Sequence, residues 1–424
     1  MLASSAIREA RRAGIAAEAI VPVGSVRRFA PDVGDVTLLG LVPPSRHKQV
    51  LKAFGRLPIV ADVSAQTPSS VTISTSRGAI TLHLASPDDA GAALVWHTGS
   101  QSHVHQLQQR ALKMGVQLSG GRLLSPAGDP IPCAREEELY ERLGLPLIAP
   151  EIRDGNGEIV AAERGEIPAL LSELHIRGDL HMHSTWSDGR NSIADMVSGA
   201  RQIGYEYVAI TDHSEHAWSS RKLSPDDVPR QREEIEALRT HVHGIEILHG
   251  VEVDIMPDGS LDFDDELLAG FDLVLASLHD PAGQHESELT ERYLRAIQHP
   301  LVNVITHPAN RSPAQSHGYA LDFDRLFAAA ALTGTAMEID GAPGHLDMDG
   351  ALARRAADAG VTIVVDSDCH RVEGLGRQMR FGVGTARRGW IEPRHVLNTR
   401  EASEVRAFVS RKRGRPLRSS VWSG

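Results

Sequence analysis

Cysteine is nearly absent from this 424-residue chain. The two present, Cys133 and Cys369, cannot build a disulfide framework or a thiolate zinc site, so a reducing cytoplasmic setting is expected. Long hydrophobic runs are missing too: nothing approaches the roughly 18 uncharged apolar residues of a membrane helix. The N-terminal stretch MLASSAIREARRAGIAAEAI has no apolar core of secretory type and reads as an amphipathic helix. Positive charge is not in excess either. A net charge of −11 argues against a generally basic nucleic-acid binder, but acidic metal ligands would give the same sign before their ions are counted. Tandem repeats and low-complexity linkers are also lacking, and the length predicts two or three domains.

What is present is a set of apolar runs that end in His, Asp or Glu. They are Ile176 to His183 (IRGDLHMH), Val208 to His213 (VAITDH), Ile245 to Asp254 (IEILHGVEVD), Leu273 to His279 (LVLASLH), Val302 to His307 (VNVITH) and Val361 to His370 (VTIVVDSDCH). Continuous apolar stretches suit parallel strands covered on both faces. Helical patterns alternate with them at Ile193 to Ile203, Pro229 to His241, Leu289 to Gln298, Asp324 to Leu332 and Gly350 to Ala359. Strand–helix alternation predicts a parallel α/β architecture, in which polar residues at the strand ends converge on one face. Before this region, residues 1–98 carry short alternating runs such as Val71 to Ala85, which predict an antiparallel sheet with helices. Residues 99–175 show helix patterns at His103 to Met114 and Glu136 to Leu143.

The convergent polar residues form a metal-type set: His181, His183, Asp188, His213, Glu252, His279, His307, Asp368 and His370. His181 and His183 lie two apart on a predicted strand and share a face. Imidazole mixed with carboxylate suits Zn²⁺, Mn²⁺ or Fe²⁺. Nine ligands exceed what one ion uses, so two or three divalent ions bridged by a carboxylate are expected, a cluster suited to phosphoester hydrolysis. Asp212 and Asp280 adjoin ligands and read either as groups that orient imidazoles or as ordinary caps. Arg311, just after the THP run, reads either as a cation for substrate phosphate or as part of a surface salt bridge.

The motifs GDLHMHSTWSDG, AITDHS, HGVEVDI, SLHD, THP and DSDCH resemble the polymerase-and-histidinol-phosphatase (PHP) domain, with all nine ligand positions filled. The resemblance implies a distorted (β/α)7 barrel over residues 176–424 with a trinuclear site. One ion takes His181, His183, Glu252 and Asp368; a second shares Glu252 and adds His279 and His307; a third takes Asp188, His213 and His370. The preceding chain resembles bacterial X-family DNA polymerases. VGSVRRFAPDVGDVTLL is similar to their palm motif, and HTGSQSHVHQLQQRALKMGVQLS and EEELYERLGLPLIAPEIRDGNGEI to their thumb and its connection. ARRGWIEPRHVLNT fits the family's C-terminal end. This implies a small α+β palm-like region at 1–98 and a thumb-like segment at 99–175.

The palm resemblance is degenerate. Nucleotidyl transfer needs carboxylates to hold two metal ions. Asp35 is in place, its partner is Thr37, and the third position falls near Thr81. The palm motif starts near residue 23, so the family's DNA-binding and fingers regions are expected to be missing and polymerase activity lost. Arg27, Arg28, Arg46, Lys48 and Lys113 are candidate phosphate contacts or simply solvated cations. In the basic tail, Arg413 to Pro416 (RGRP) resembles a minor-groove AT-hook core, and SRKRGRPLR binds polyanions nonspecifically by counterion release.

The expected function is therefore a metal-dependent phosphoesterase on DNA, a 3′–5′ exonuclease or 3′-end-processing nuclease acting on single strands or 3′ ends, with DNA repair as its setting. One alternative is a small-molecule phosphatase of histidinol-phosphate type. The other is a catalytically idle DNA-binding or scaffold protein.

Overall fold

A computed structural model describes residues 2–15, 19–217, 219–313 and 315–414. The chain divides into two compact units, Met1–Pro168 and Ala169–Gly424. In the first, β1 (Ala19–Pro22), β2 (Val36–Leu41), β3 (Asp62–Gln66), β4 (Ser70–Thr75) and β5 (Gly78–Ala85) form one sheet in the order β1-β2-β5-β4-β3. The expected antiparallel sheet is in fact mixed, because β2 and β5 pair in parallel while the other pairs are antiparallel. The helix Leu2–Arg12 buries Ala3, Ala6 and Ala10 against this unit's core, as its amphipathic pattern predicts. A three-stranded ribbon follows: β6 (Gln117–Ser119), β7 (Arg122–Leu124) and β8 (Pro130–Ile131).

The second unit is a nearly closed barrel of seven parallel strands: β9 (Gly178–Asp179), β10 (Tyr207–Ile210), β11 (Glu246–Asp254), β12 (Leu273–Ser277), β13 (Val304–Ile305), β14 (Ala336–Asp340) and β15 (Ile363–Asp366). Six of these follow the apolar runs; β14 is the one that the runs did not name. The seam between β9 and β15 is tied by a bridge from Met182 to Cys369. Asn398 reinforces it, donating from Nδ2 to the carbonyls of Gly178 at 2.9 Å and Val365 at 2.6 Å.

Strand alternation divides two cores. Val208, Ile210, Val251, Val253, Val274, Ala276, Met337, Ile339, Ile363 and Val365 face the surrounding helices. Leu180, Tyr207, Ala209, Leu248, Leu273, Leu275, Val304, Ala336 and Val364 fill the barrel interior. The C-terminal helix Ala402–Arg413 packs there through Val405, Phe408 and Val409. Each interior column then turns polar toward the carboxyl end of its strand. Leu248 leads to Glu252 and Asp254, Leu275 to Ser277 and His279, Ala336 to Glu338 and Asp340, and Val364 to Asp366 and Asp368. Gly250 interrupts the β11 column because a Cβ there would lie 2.7 Å from Thr211 Cγ2.

The basic end of that last helix is not a free tail. Lys412 is buried, and its Nζ donates to the carbonyls of Ile297 and Val302; Arg413 donates to the Phe271 carbonyl. Both cations are therefore engaged by the fold, and Arg415 and Pro416 of the RGRP motif lie outside the described residues. Two candidate phosphate contacts of the first unit are likewise engaged. Arg27 pairs with Glu136 at 2.6 Å, and Arg28 with Asp154 at 3.2 Å. Arg46, Lys48 and Lys113 are exposed.

Candidate metal centre

All nine sequence-derived residues meet at the polar end of the barrel. Glu252 lies at their centre. Its Oε2 is 2.7 Å from His213 Nδ1, 3.4 Å from His181 Nε2 and 3.6 Å from His183 Nε2. Its Oε1 is 2.9 Å from His307 Nε2 and 3.6 Å from His279 Nε2. Asp368 Oδ1 is 3.1 Å from His183 Nε2 and 3.5 Å from His370 Nδ1, while Asp188 Oδ1 is 3.1 Å from His370 Nε2. His181 and His183 lie just past the two-residue strand β9, yet their Nε2 atoms stand 3.1 Å apart. His307 and Asp368 adopt positive φ of 26° and 46°, a conformation that is uncommon for non-glycine residues and clusters at functional sites.

The donor set fits divalent cations. Donors bound to one ion at about 2.0–2.2 Å stand roughly 3–4 Å from one another, which is the spacing seen here. Glu252 Oε2, His213 Nδ1 and Asp188 Oδ1 are buried without a hydrogen-bond partner. For His213 and Glu252 the 2.7 Å separation is short enough, but the groups are not aligned for a hydrogen bond. Within the nine, three groups of donors lie close enough to share an ion: His183 with Asp188, His213 and His370; His181 with His183 and Asp368; and His213 with Glu252 and His279. A cavity of about 190 Å³ opens onto them, lined by Asp188, His213, Ser219, His279, His307, His345, Asp368 and His370.

In the metal-free protein these groups polarise one another. Burial opposes charge on His181, but the carboxylates of Glu338, Glu252 and Asp368 outweigh it and hold its pKa well above the ordinary value. Burial is similarly overcome at His307 by Glu252, and at His370 by Asp368 and Asp188, and both rise to about 9. His183 goes the other way. Burial and the neighbouring His370 and His213 push it down to about 3, so it is a neutral imidazole.

Several supporting residues lie around the nine, and Glu338 among them falls outside the ligand motifs. Glu338 on β14 lies 2.6 Å from His181 Nδ1 and accepts the His307 backbone N–H at 2.7 Å. Asp254 stands 3.0 Å from His279 Nδ1. Such carboxylates fix ring orientation and leave Nε2 for the site. The run AMEID, apolar residues interleaved with two acids, could have revealed β14 and Glu338. Asp212 is fully buried, and its oxygens accept the N–H and O–H of both Ser184 and Ser187 and an N–H of Gln231. That ties down the turn that presents Asp188. Asp280 accepts the Ala282 N–H at 2.8 Å, the arrangement of a turn cap. Arg311 is buried, and its Nη1 donates to the Leu346 carbonyl at 3.4 Å. Cys369 is buried at the seam, with Sγ 2.9 Å from the Arg371 carbonyl, and burial pushes its thiol up to about 12.

In the first unit the positions that the palm resemblance points to also come together, with Asp35 as their one carboxylate. Thr37 on β2 is in register with Thr81 on β5, and Thr81 with Thr72 on β4. The hydroxyls of Thr72 and Thr81 are 3.0 Å apart, and Thr37 donates to the exposed Asp35 at 3.4 Å. Beside them His83 stacks on His97 at 4.1 Å; burial and His83 push His97 down to about 3.

Comparison with known proteins agrees with this division. The DNA polymerase beta thumb model matches residues 93–154, and the PHP domain model matches residues 179–310. The DNA polymerase/3′-5′ exonuclease PolX of Bacillus subtilis is 36% identical over 92% of this chain and 68% of its own length. A probable phosphatase of Syntrophotalea carbinolica is 28% identical over 54% of this chain and 94% of its own length. One of Shewanella sp. (strain MR-4) is 32% identical over 47% and 78%. With a polymerase beta-type thumb preceding a PHP barrel, and with this identity over most of both chains, the protein belongs to the PolX family.

Proposed function

We propose that the protein is a metal-dependent nuclease that removes or trims nucleotides from the 3′ ends of DNA. The observation that carries this reading is the convergence of six imidazoles on three carboxylates, with Glu252 central. In the proposed arrangement, His181, His183, Glu252 and Asp368 hold one ion. Glu252, His279 and His307 hold a second, and Asp188, His213 and His370 a third. Two or three divalent ions of the Zn²⁺, Mn²⁺ or Fe²⁺ class supply Lewis acidity toward phosphate and activate water when bound. The protein's own contribution is orientation. Glu338 and Asp254 fix two imidazoles, and Asp212 anchors the turn bearing Asp188. Arg311, whose Nη1 donates to the Leu346 carbonyl in the loop that carries His345, is the proposed cation for substrate phosphate.

DNA as substrate is supported by the thumb match and by the name of the Bacillus relative. Loss of polymerase activity is part of the reading, because Thr37 and Thr81 stand where the synthetic centre needs acids. A phosphatase reading has its own support, in relatives named as probable phosphatases that match about half of this chain and most of their own length.

The deciding assay is Mn²⁺-dependent cleavage of 3′- and 5′-labelled oligonucleotides beside p-nitrophenyl phosphate and histidinol phosphate. A His181→Ala/His183→Ala variant is the control. Stepwise shortening from the 3′ end, lost in the variant, is the expected result. Phosphate release from the small esters alone would replace the nuclease reading with the phosphatase one. Full DNA-binding function with no hydrolysis of any substrate would leave a scaffold.

A further inference from the structure

β14 brings a second acid to the ligand end of the barrel. Asp340 follows Glu338 by two residues in the same interior column and is fully buried. Only its Oδ1 is engaged, accepting the Ala342 N–H at 2.6 Å; Oδ2 has no hydrogen-bond partner. The chain then turns back, placing the His345 imidazole 4.9 Å from that of His307, stacked within 18°. His345 lines the same cavity as six of the nine ligands, and its buried Nδ1 is likewise unpartnered.

Donor atoms of Asp340, His345 and Asp368 lie within 4.8 Å of one another. Buried polar atoms ordinarily have a hydrogen-bond partner. Here Asp340 Oδ2 and His345 Nδ1 both stay open, which is how ligands disposed around a common ion look. Asp368 can join them without leaving the cluster, because a carboxylate carries two oxygens with about four lone-pair sites. Its Oδ1 already faces His183 and His370.

We propose that Asp340, His345 and Asp368 bind an additional divalent cation, bridged through Asp368 to the nine-residue centre. The inference rests on the reading that those nine residues hold metal. One imidazole with two carboxylates selects an ion of the zinc or manganese class over Mg²⁺ or Ca²⁺. Three protein ligands leave coordination positions open toward the cavity that His345 lines, where water or a phosphate oxygen can enter.

The test is metal stoichiometry of the full-length protein, stripped with chelator and equilibrated with saturating Mn²⁺, read by equilibrium dialysis and elemental analysis. Asp340→Asn and His345→Gln should each bind one Mn²⁺ fewer per chain than the unsubstituted protein. His213→Ala/His370→Ala should lose an ion independently of them. If His345→Gln and Asp340→Asn bind as many ions as the parent while the His213/His370 variant binds fewer, the additional position is wrong and the nine-residue centre stands. If all three variants bind as the parent does, both readings fall. Asp340→Asn sits in the core; should it fail to fold, the partly exposed His345→Gln decides alone, with a thermal melt to certify its fold.

Discussion

Nδ1 of His181 and Oε1 of Glu338 lie 2.6 Å apart with both side chains wholly excluded from solvent, joining two strands that are distant in sequence. The second Glu338 oxygen accepts the His307 backbone N–H at 2.7 Å, so one carboxylate orients two ligands. Glu338→Gln offers a single acceptor in place of two and leaves either His181 or His307 without its partner. The expected result is a metal affinity weaker by about 10–100-fold and a stability loss of about 1–3 kcal/mol. Chelator competition with Zn²⁺ or Mn²⁺ measures the first. An affinity equal to that of the parent would mean that Glu338 does not orient the site.

The ligand motifs were legible because every ligand but Asp188, which follows in the next turn, falls at or near the end of an apolar run, where the barrel's geometry must bring it to the common face. β14 was not, since Ala336 to Asp340 alternates apolar and acidic residues and resembles an amphipathic strand more than a buried one. It is nevertheless buried throughout, because its acids point into the barrel's polar end. Glu338, Asp340 and His345 therefore escaped the sequence reading. The mixed sheet of the first unit escaped it for another reason. Alternation in Val71 to Ala85 reveals strands, but the direction of the β2–β5 pairing depends on the crossover between them. Lys412 and Arg413 read as tail because a run of cations on an apolar-poor segment looks solvated, and only the barrel supplies the carbonyls that bury them.

Cation binding should release protons at neutral pH. In the metal-free protein His307 and His370 titrate near 9, so each carries a proton at pH 7 that it must lose to become a ligand. Affinity should thus rise with pH toward 9, roughly tenfold per unit for each proton displaced. The same raised values stabilise the metal-free fold fully below the ordinary histidine pKa of about 6.5 and lose that contribution as pH rises through 9. Titration calorimetry of Mn²⁺ binding in two buffers of different ionisation enthalpy gives the proton count. A count of zero at pH 7 would contradict these charge states.

Primer extension on a gapped duplex with Mg²⁺ or Mn²⁺ should give no templated product. Thr37 and Thr81 stand side by side in register, and neither hydroxyl can supply the negative charge that two cations and a triphosphate require. The nearby His83–His97 pair offers no anion either. Incorporation that disappears in an Asp35→Ala variant would show that one carboxylate suffices and that synthesis survives in this chain.

The C-terminal cations should separate into those that hold the fold and those that bind polyanions. Lys412→Met keeps the aliphatic stem and removes the ammonium, leaving the carbonyls of the buried residues Ile297 and Val302 without their donor. The expected loss is about 1–3 kcal/mol, read as a fall of roughly 2–4 °C in Tm per kcal/mol for a unit of this size. Ending the chain after Gly414 removes Arg415 and Arg418 but spares Lys412 and Arg413, so the Tm should hold while DNA affinity falls and its salt dependence flattens. Measuring both variants by thermal melt and by DNA binding across a salt series distinguishes the two roles. A Tm unchanged by Lys412→Met would remove the buried-lysine account, and a salt slope unchanged by truncation would remove the tail from DNA binding.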